Sequence, residues 1–405
     1  MKKNWFCAQI GAREHYAVPR VLQKAGKLAA LYTDFWAGSL IRIAAGKTKV
    51  KHLRSLAHRF HPQLADAPVF SWNARSLMWE ASLRKSRDVY SGFTEIGNRF
   101  AVRVRDALKQ RNDLGPDSIF FSYDTGALEA MEWCRGRGVR CVLNQMDPGR
   151  LEVELVRQEE KLWPGWAIQP LEVPETYFKR REKESAAADR IVVNSDFCQE
   201  QLVKQGIPPD KVIVIPLCFE PMLPDPRLPL SNRPLRVLFL GQIILRKGIQ
   251  YLMQAARLLE DENIQFDIVG PMGISADATT SAPRNMAFHG RTTRDQTVDW
   301  YRRSDVFVLP TLSDGFAITQ LEAMSYGLPV VATPCCGEVV TNGVDGFIVP
   351  PRNADALAEI LRRYLAEPEL LRHQQEAALV KIKHFSLDRI RTGLNSLENH
   401  LCGTK

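Results

Sequence analysis

The sequence predicts an α/β protein built from two doubly wound parallel-sheet units in series. Short apolar runs alternate with stretches of helical periodicity almost throughout. A proline-dense run interrupts that alternation once, and it then restarts. Strands alternating with helices call for a parallel sheet covered on both faces. A chain of 405 residues is too long for one ordinary core and suits two domains.

In the first half, Trp5–Ile10, Leu28–Thr33, Ile119–Tyr123, Arg140–Gln145, Arg190–Ser195 and Val212–Leu217 read as strands. Segments such as Ala127–Cys134 and Phe197–Gln205 between them read as helices. Pro221, Pro224, Pro226, Pro229 and Pro234 then crowd a stretch that can form neither a helix nor a central strand. Beyond it, Val237–Gly241, Gln265–Gly270, Val306–Pro310, Val330–Thr333 and Phe347–Val349 read as strands. Ile249–Leu259, Arg294–Arg303, Ile318–Tyr326 and Asp355–Leu365 read as helices. The expected division is an N-terminal domain over 1–219, a linker over 220–234 and a C-terminal domain over 235–384. A last amphipathic helix over 385–405 has the N-terminal domain as its candidate partner.

Composition narrows the class. Apolar residues make up 45% and charged residues 25%, the balance of a soluble globular protein. The eight cysteines include no C-x-x-C pair and read as free thiols of a reducing, cytoplasmic setting. The apolar run after Lys2 and Lys3 is broken by Arg13 and Glu14, so it reads as a first strand and not a signal peptide. No run of apolar residues has the length to span a bilayer. The net charge of +8 falls entirely in residues 1–220, which hold 34 Lys and Arg against 26 Asp and Glu. Residues 42–59 carry Arg42, Lys47, Lys49, Lys51, Arg54 and Arg59 with no acid. That stretch is either a solvated face or a peripheral contact with anionic headgroups at the inner face of a membrane. The basic excess lacks aromatic interleaving and any nucleic-acid motif, which argues against a nucleic-acid partner.

Two segments carry chemistry. In Val306–Thr333 a strand ends at Pro310, a loop bears Asp314-Gly315, and a helix is expected to begin near Phe316. Open N–H groups at a helix start suit a diphosphate or sugar hydroxyls, and Gly315 admits close approach to the backbone. Asp314 would lie just before that helix and Glu322 about two turns along it. Alone, Asp314 is as well explained as a helix cap and Glu322 as a structural ion pair. In Val237–Leu252 a strand, Gly241 and a loop with Arg246-Lys247-Gly248 precede a helix, a plausible diphosphate clamp at a sheet edge. There is no G-x-G-x-x-G after a strand and no G-x-x-x-x-G-K-[ST], so a dinucleotide fold and a P-loop ATPase are unsupported.

Together these segments resemble the family 4 (group 1) retaining glycosyltransferases, with their glycine–basic–Lys-Gly loop and acid-Gly-Phe…Glu motif. Ala188–Ser195, Phe288-His289-Gly290 and Gly346–Pro350 are also similar to family phrases in the same order. The resemblance covers about 185–365 well and the first 180 residues in outline. It implies a GT-B fold, two Rossmann-like domains facing each other across a cleft. It implies transfer of a sugar from a nucleotide-sugar to a hydroxyl of a glycan, lipid-linked or small-molecule acceptor, with no cofactor and no metal. Lys247 and Arg246 would neutralise the donor diphosphate, and Glu322 would hold the ribose. Asp314 with the backbone of Gly315, Phe316 and Ala317 would hold the transferred sugar, and Gly241, Gln242, Gly290 and Arg291 would complete the donor site. Asp314 stands where the family usually has Glu, and Gln242 where many members have Arg. On the acceptor side, Gly11, Arg13 and His15 follow the first strand. Asp124 stands after a strand where many members have a His, and Asp147 follows the next strand. A nucleotide-sugar-binding protein, or an epimerase-like enzyme on the same fold, is the alternative.

Overall fold

The structure is a computed structural model describing residues 4–39, 41–43, 56–83, 88–220 and 233–402. Most of the basic stretch (44–55) and most of the proline-rich run (221–232) lie outside the described residues. In the first half, β1 (Asn4–Gln9), α1 (Ala17–Lys24), β2 (Leu28–Thr33), β3 (Val69–Ser71), α2 (Asn73–Leu83) and α3 (Val89–Leu108) come first. They lead to β4 (Ser118–Tyr123), α4 (Leu128–Arg135), β5 (Arg140–Asn144), α5 (Arg150–Leu162), α6 (Glu175–Ala187), β6 (Arg190–Val193), α7 (Asp196–Lys204) and β7 (Val212–Val214). The second half runs β8 (Leu235–Leu240), α8 (Ile249–Leu258), β9 (Ile264–Val269), α9 (Ala276–Thr280), β10 (Met286–Gly290), α10 (Arg294–Arg303) and β11 (Val306–Leu309). It ends with α11 (Thr319–Ser325), β12 (Val330–Ala332), β13 (Gly346–Ile348), α12 (Ala354–Ala366), α13 (Pro368–Lys381) and α14 (Leu387–Cys402).

The strands form two parallel sheets, seven-stranded in the order β3-β2-β1-β4-β5-β6-β7 and six-stranded in the order β10-β9-β8-β11-β12-β13. Each sheet reverses its winding direction once, between β1 and β4 and between β8 and β11. Such switch points open a crevice beyond the C-terminal strand ends, where ligands of doubly wound sheets bind. Gly11 and Asp124 follow β1 and β4, and Gly241 and the Asp314 loop follow β8 and β11. The residues that the sequence singles out therefore stand at both crevices.

Both faces of each sheet are buried, which is why the strands read as continuous apolar runs. One face of the first sheet packs Phe6, Phe120 and Leu143 against Phe100 and Val104 of α3 and Met131 of α4. The other packs Trp5, Phe121 and Val142 against α1 and against Ile390, Leu394 and Leu397 of α14. In the second sheet, Val237, Phe266 and Val308 meet α8 and α12, while Phe307 and Val330 meet α11 and α13. Among the described residues no helix is long and apolar enough to cross a membrane.

Two elements cross between the halves. The last helix leaves the second sheet, where the Phe219 N–H donates to the Phe385 carbonyl at 2.7 Å, and lies on the first. In the reverse direction, α5 and the residues after it strap onto the second half. Ala167 bridges Ile274, the Ser275 N–H donates to the Trp166 carbonyl at 2.7 Å, and Trp166 packs on that sheet's core. The anchor is Glu159, fully buried, which accepts from Gln250 Nε2 at 2.9 Å, the Tyr251 hydroxyl at 2.9 Å and Arg352 Nε at 2.6 Å. Glu159→Ala strips three donors of one acceptor. A loss of about 2–4 kcal/mol is expected, the scale of breaking a buried pair whose partner retains some access to water. Urea unfolding followed by tryptophan fluorescence checks it; an unchanged midpoint would mean that the strap is held by something else.

Two local expectations need correction. The acid-Gly loop does not enter its helix near Phe316: Ala317 takes a left-handed conformation (φ 61°), and α11 begins only at Thr319. Glu322 is therefore in the first turn of α11, not two turns along. The three-residue edge strand β3 is not among the strands expected from the sequence, because it is too short to show alternation.

Candidate functional site

Beyond β8 the chain makes a short turn over Leu245–Lys247 and closes at Gly248, whose φ is 74°. A Cβ at Gly248 would lie 1.9 Å from the Pro310 carbonyl oxygen, so only glycine lets this loop seat against the end of β11. The two loops are then tied together. The Leu312 N–H donates to the Arg246 carbonyl at 2.9 Å, and Arg246 Nη1 donates to the Ser313 carbonyl at 2.8 Å. The result is that the Lys247 ammonium touches the Asp314 carboxylate. Burial and the adjacent Arg246 guanidinium push the Lys247 ammonium below its ordinary value. Cys336 and Glu152 oppose that push, and the ammonium comes down to about 7.

Asp314 Oδ1 also accepts the N–H groups of Phe316 at 3.3 Å and Ala317 at 3.2 Å. It thus organises the loop that the sequence assigns to sugar binding, although it does not cap a helix. Gly315 has a different use from the one expected. Its would-be Cβ lies 1.8 Å from the Met146 carbonyl oxygen, and its own carbonyl accepts the Ser195 hydroxyl at 2.6 Å. The close approach is to the first domain's backbone, so Gly315 joins the two halves. The Phe316 ring is core, packed against Phe385.

Glu322 Oε2 accepts the Tyr301 hydroxyl at 2.7 Å, and Tyr301 stacks on Tyr326 at 5.4 Å. This partner is neutral, so the structural ion pair weighed for Glu322 does not form in this pairing. Gly241 and Gly290, at the ends of β8 and β10, have open space where a Cβ would stand. Arg291 is exposed.

Glu152, which no sequence motif marks, completes this region. It reaches across from α5, accepting the Ser313 hydroxyl at 2.7 Å and pairing with Arg246 Nη1 at 3.3 Å. Desolvation raises its pKa, with Arg246 opposing. A cavity of about 680 Å³ lies between the halves, bordered by Glu152, Gln242, Arg246 and Tyr90. Lys247, Asp314, Glu322, Gly290 and Arg291 are not in its lining.

On the facing crevice, Gly11 (φ 84°) donates its N–H to Asp34 Oδ1 at 2.8 Å. Glu14, His15 and Tyr16 follow with φ of 52°, 48° and 60°, three successive left-handed residues with side chains. Such strain is costly and concentrates at functional sites. Desolvation raises the Glu14 carboxyl to about 7, and Asn144 Nδ2 donates to it at 3.4 Å. His15 is exposed. Arg13 lies 4.0 Å from Asp124. Asp124 and Asp147 are joined by Arg181, at 2.8 Å and 2.9 Å. Desolvation raises Asp124, whereas at Asp147 Arg181 overcomes the desolvation and lowers the carboxyl. Asp34 is a second residue that no motif marks, although its position gives a signal: a carboxylate directly after β2 stands on the same strand edge as Asp124.

Residues 234–367 match the family model described as Glycosyl transferases group 1. The matched segment lies wholly in the C-terminal half and is about a third of the chain. It contains Arg246, Lys247, Asp314 and Glu322 and begins where β8 does. The chain is 29% identical over 231 residues to a D-inositol 3-phosphate glycosyltransferase of Streptomyces bingchenggensis. That alignment covers 50% of this chain and 51% of the relative, so the chain spans about half the length of the curated relatives it matches. Among solved structures it is similar to HepE of Anabaena in complex with UDP-glucose, with a TM-score of 0.60 and 14% identity over 97% of this chain and 99% of that one. Sucrose-phosphate synthase of Thermosynechococcus elongatus superposes with a TM-score of 0.63 and 16% identity over the full length of both chains. At such identities the likeness concerns architecture, and the architecture is GT-B.

Proposed function

We propose that the protein is a retaining, metal-independent glycosyltransferase that moves a sugar from a nucleotide-sugar to an acceptor hydroxyl. The observation that carries this reading is the convergence of Lys247, Arg246 and Asp314 at the switch point of the matched segment. The bond from the anomeric carbon to the diphosphate oxygen breaks and a bond to the acceptor oxygen forms. The hydroxyl proton leaves with the nucleoside diphosphate. Negative charge grows on the diphosphate as it departs, and two fixed cations at the mouth of a low-dielectric cleft favour that charge without reorganising. Asp314 and Glu152 occupy those cations here, so the donor's phosphates would exchange with carboxylates already in place. Glu322 is assigned the ribose hydroxyls and Asp314 the transferred sugar. The UDP-glucose bound by the Anabaena neighbour supports the donor class.

Thermal denaturation with UDP-, GDP- and ADP-sugars, followed by transfer assays with the one that stabilises, tests the reading. A donor at a hundred times its Kd adds about 2.7 kcal/mol. No stabilisation by any of them would overturn it. Glu152→Gln is expected to tighten nucleoside diphosphate binding several-fold, because it removes a carboxylate competing for Arg246. Titration calorimetry of the bare nucleotide reads this, and weaker binding would instead place Glu152 among the ligand's own partners.

A further inference from the structure

Away from both crevices, the first domain holds a cavity of about 480 Å³, bordered by the start of α5, by α6 and by the end of α7. Its volume is that of a small-ligand site (about 300–1,000 Å³). None of the residues assigned to donor or acceptor lines it, and it shares no residue with the cavity between the halves. We propose that it is a separate ligand site and that it takes a small organic anion, an acidic group on an apolar body. The inference stands on this cavity and does not depend on the transferase reading.

Three buried side chains line the cavity with polar atoms to spare. Ser185, 6% exposed, makes no side-chain hydrogen bond among the described residues. Gln145, 3% exposed, donates from Nε2 to the Asp147 carbonyl at 3.1 Å, and its Oε1 accepts from no described residue. Arg181 places Nη2 2.8 Å from Asp124 and 2.9 Å from Asp147, while its Nε and Nη1 donate no hydrogen bond among the described residues. The two aspartates hold the guanidinium in place, so its remaining N–H groups are already positioned for a ligand. Buried polar groups are normally paired, and these three border the same space instead of the packed core.

Lys211 decides the sign of the charge. Of the other two cations in the lining, Arg150 is committed to Glu175 at 2.7 Å and Glu182 at 3.0 Å, and Arg181 to its two aspartates. Among the described residues no carboxylate forms an ion pair with Lys211. Burial and the Arg135 guanidinium press its ammonium below its ordinary value, with Asp189 opposing. An acidic group arriving there relieves that stress and displaces no carboxylate, unlike a phosphate at Lys247, which must exchange with Asp314. Glu154 and Glu182 also border the cavity, but both are exposed and screened by water. Leu151, Leu202, Ile207 and Pro208 supply the apolar wall, which suits a ligand with a hydrocarbon body and not a bare inorganic ion.

Saturation-transfer NMR and titration calorimetry with the full chain test the inference. The probes are benzoate, cyclohexanecarboxylate and phenyl phosphate, beside uncharged benzyl alcohol and inorganic phosphate. At least one organic anion is expected to bind about tenfold or more tightly than benzyl alcohol or inorganic phosphate, the scale of a charge-assisted hydrogen bond. Lys211→Met should weaken that anion about tenfold for the same reason, whereas Lys211→Arg, which keeps the charge, should bind close to the parent. Lys211 is half-buried at the end of a turn, so neither change threatens the fold. Ser185→Ala, a helix-favouring replacement, should weaken binding several-fold. No binding by any organic anion, equally tight binding of benzyl alcohol, or parental affinity in Lys211→Met would each overturn the inference. So would an anion that Lys247→Ala releases and Lys211→Met retains, because it would then sit at the donor loop and not in this cavity.

Discussion

Lys247→Ala is expected to lower kcat/KM for the accepted donor by two to three orders of magnitude, about 2.7–4 kcal/mol of transition-state stabilisation. The size follows from position. Lys247 is half-buried, touches Asp314, and stands beside Arg246 at a turn that Gly248 locks against β11. A cation held this firmly is worth more to a departing diphosphate than a mobile surface lysine, since little reorganisation accompanies the charge shift. The change also leaves Asp314 without its cation, so a lower melting temperature should accompany the kinetic loss. Rates must therefore be read on the folded fraction, below the variant's own transition. Unchanged kcat/KM with every accepted donor would remove the phosphate clamp from the mechanism.

The acidic pair should separate into two phenotypes. Glu322→Gln is expected to weaken binding of the bare nucleoside diphosphate about ten- to hundredfold, because a charged acceptor worth about 1.5–3 kcal/mol becomes a neutral one. The Tyr301 hydroxyl that now donates to Glu322 is an internal competitor, so Tyr301→Phe should leave that affinity unchanged or improve it. Asp314→Asn should not weaken nucleoside diphosphate binding, and should tighten it by freeing Lys247 of a competing carboxylate, while kcat for transfer falls at least tenfold, since the Asp314 carboxylate is assigned to the sugar and not to the nucleotide. Purely structural roles predict something else: both variants would melt earlier and turn over normally while folded. Calorimetry with the nucleotide, beside transfer rates on the same preparations, discriminates between the accounts.

What the sequence disclosed follows from how local each signal is. Strands such as Val306–Leu309 and Leu28–Thr33 are buried along most of their length and almost wholly apolar, so composition alone marks them. The Arg246-Lys247-Gly248 turn was legible because its glycine and cations are adjacent in the chain. The start of α11 was not, because the left-handed residue that delays it is an alanine, a type that gives no warning. Glu152 and Glu159 were invisible for another reason. Their partners Arg246 and Arg352 lie 94 and 193 residues away, and a helix surface rich in glutamate looks solvated until the other domain is laid on it. The same distance hid the true use of Gly315. Its motif context suggested a ligand, whereas its immediate neighbour is the Met146 carbonyl of the opposite half.

The reciprocal crossing of α5 and α14 bears on how this chain can be cut and recombined. A break in the proline-rich run would look harmless, yet it would sever each half from a piece of its own surface. The N-terminal fragment would lose Ile390, Leu394 and Leu397 from beneath its sheet, and the C-terminal fragment would lose Trp166 and the buried Glu159 anchor. Chimaeras that exchange donor specificity between relatives should therefore keep the last helix with the recipient's first half. They should import α5 through Ile168 together with the new donor half.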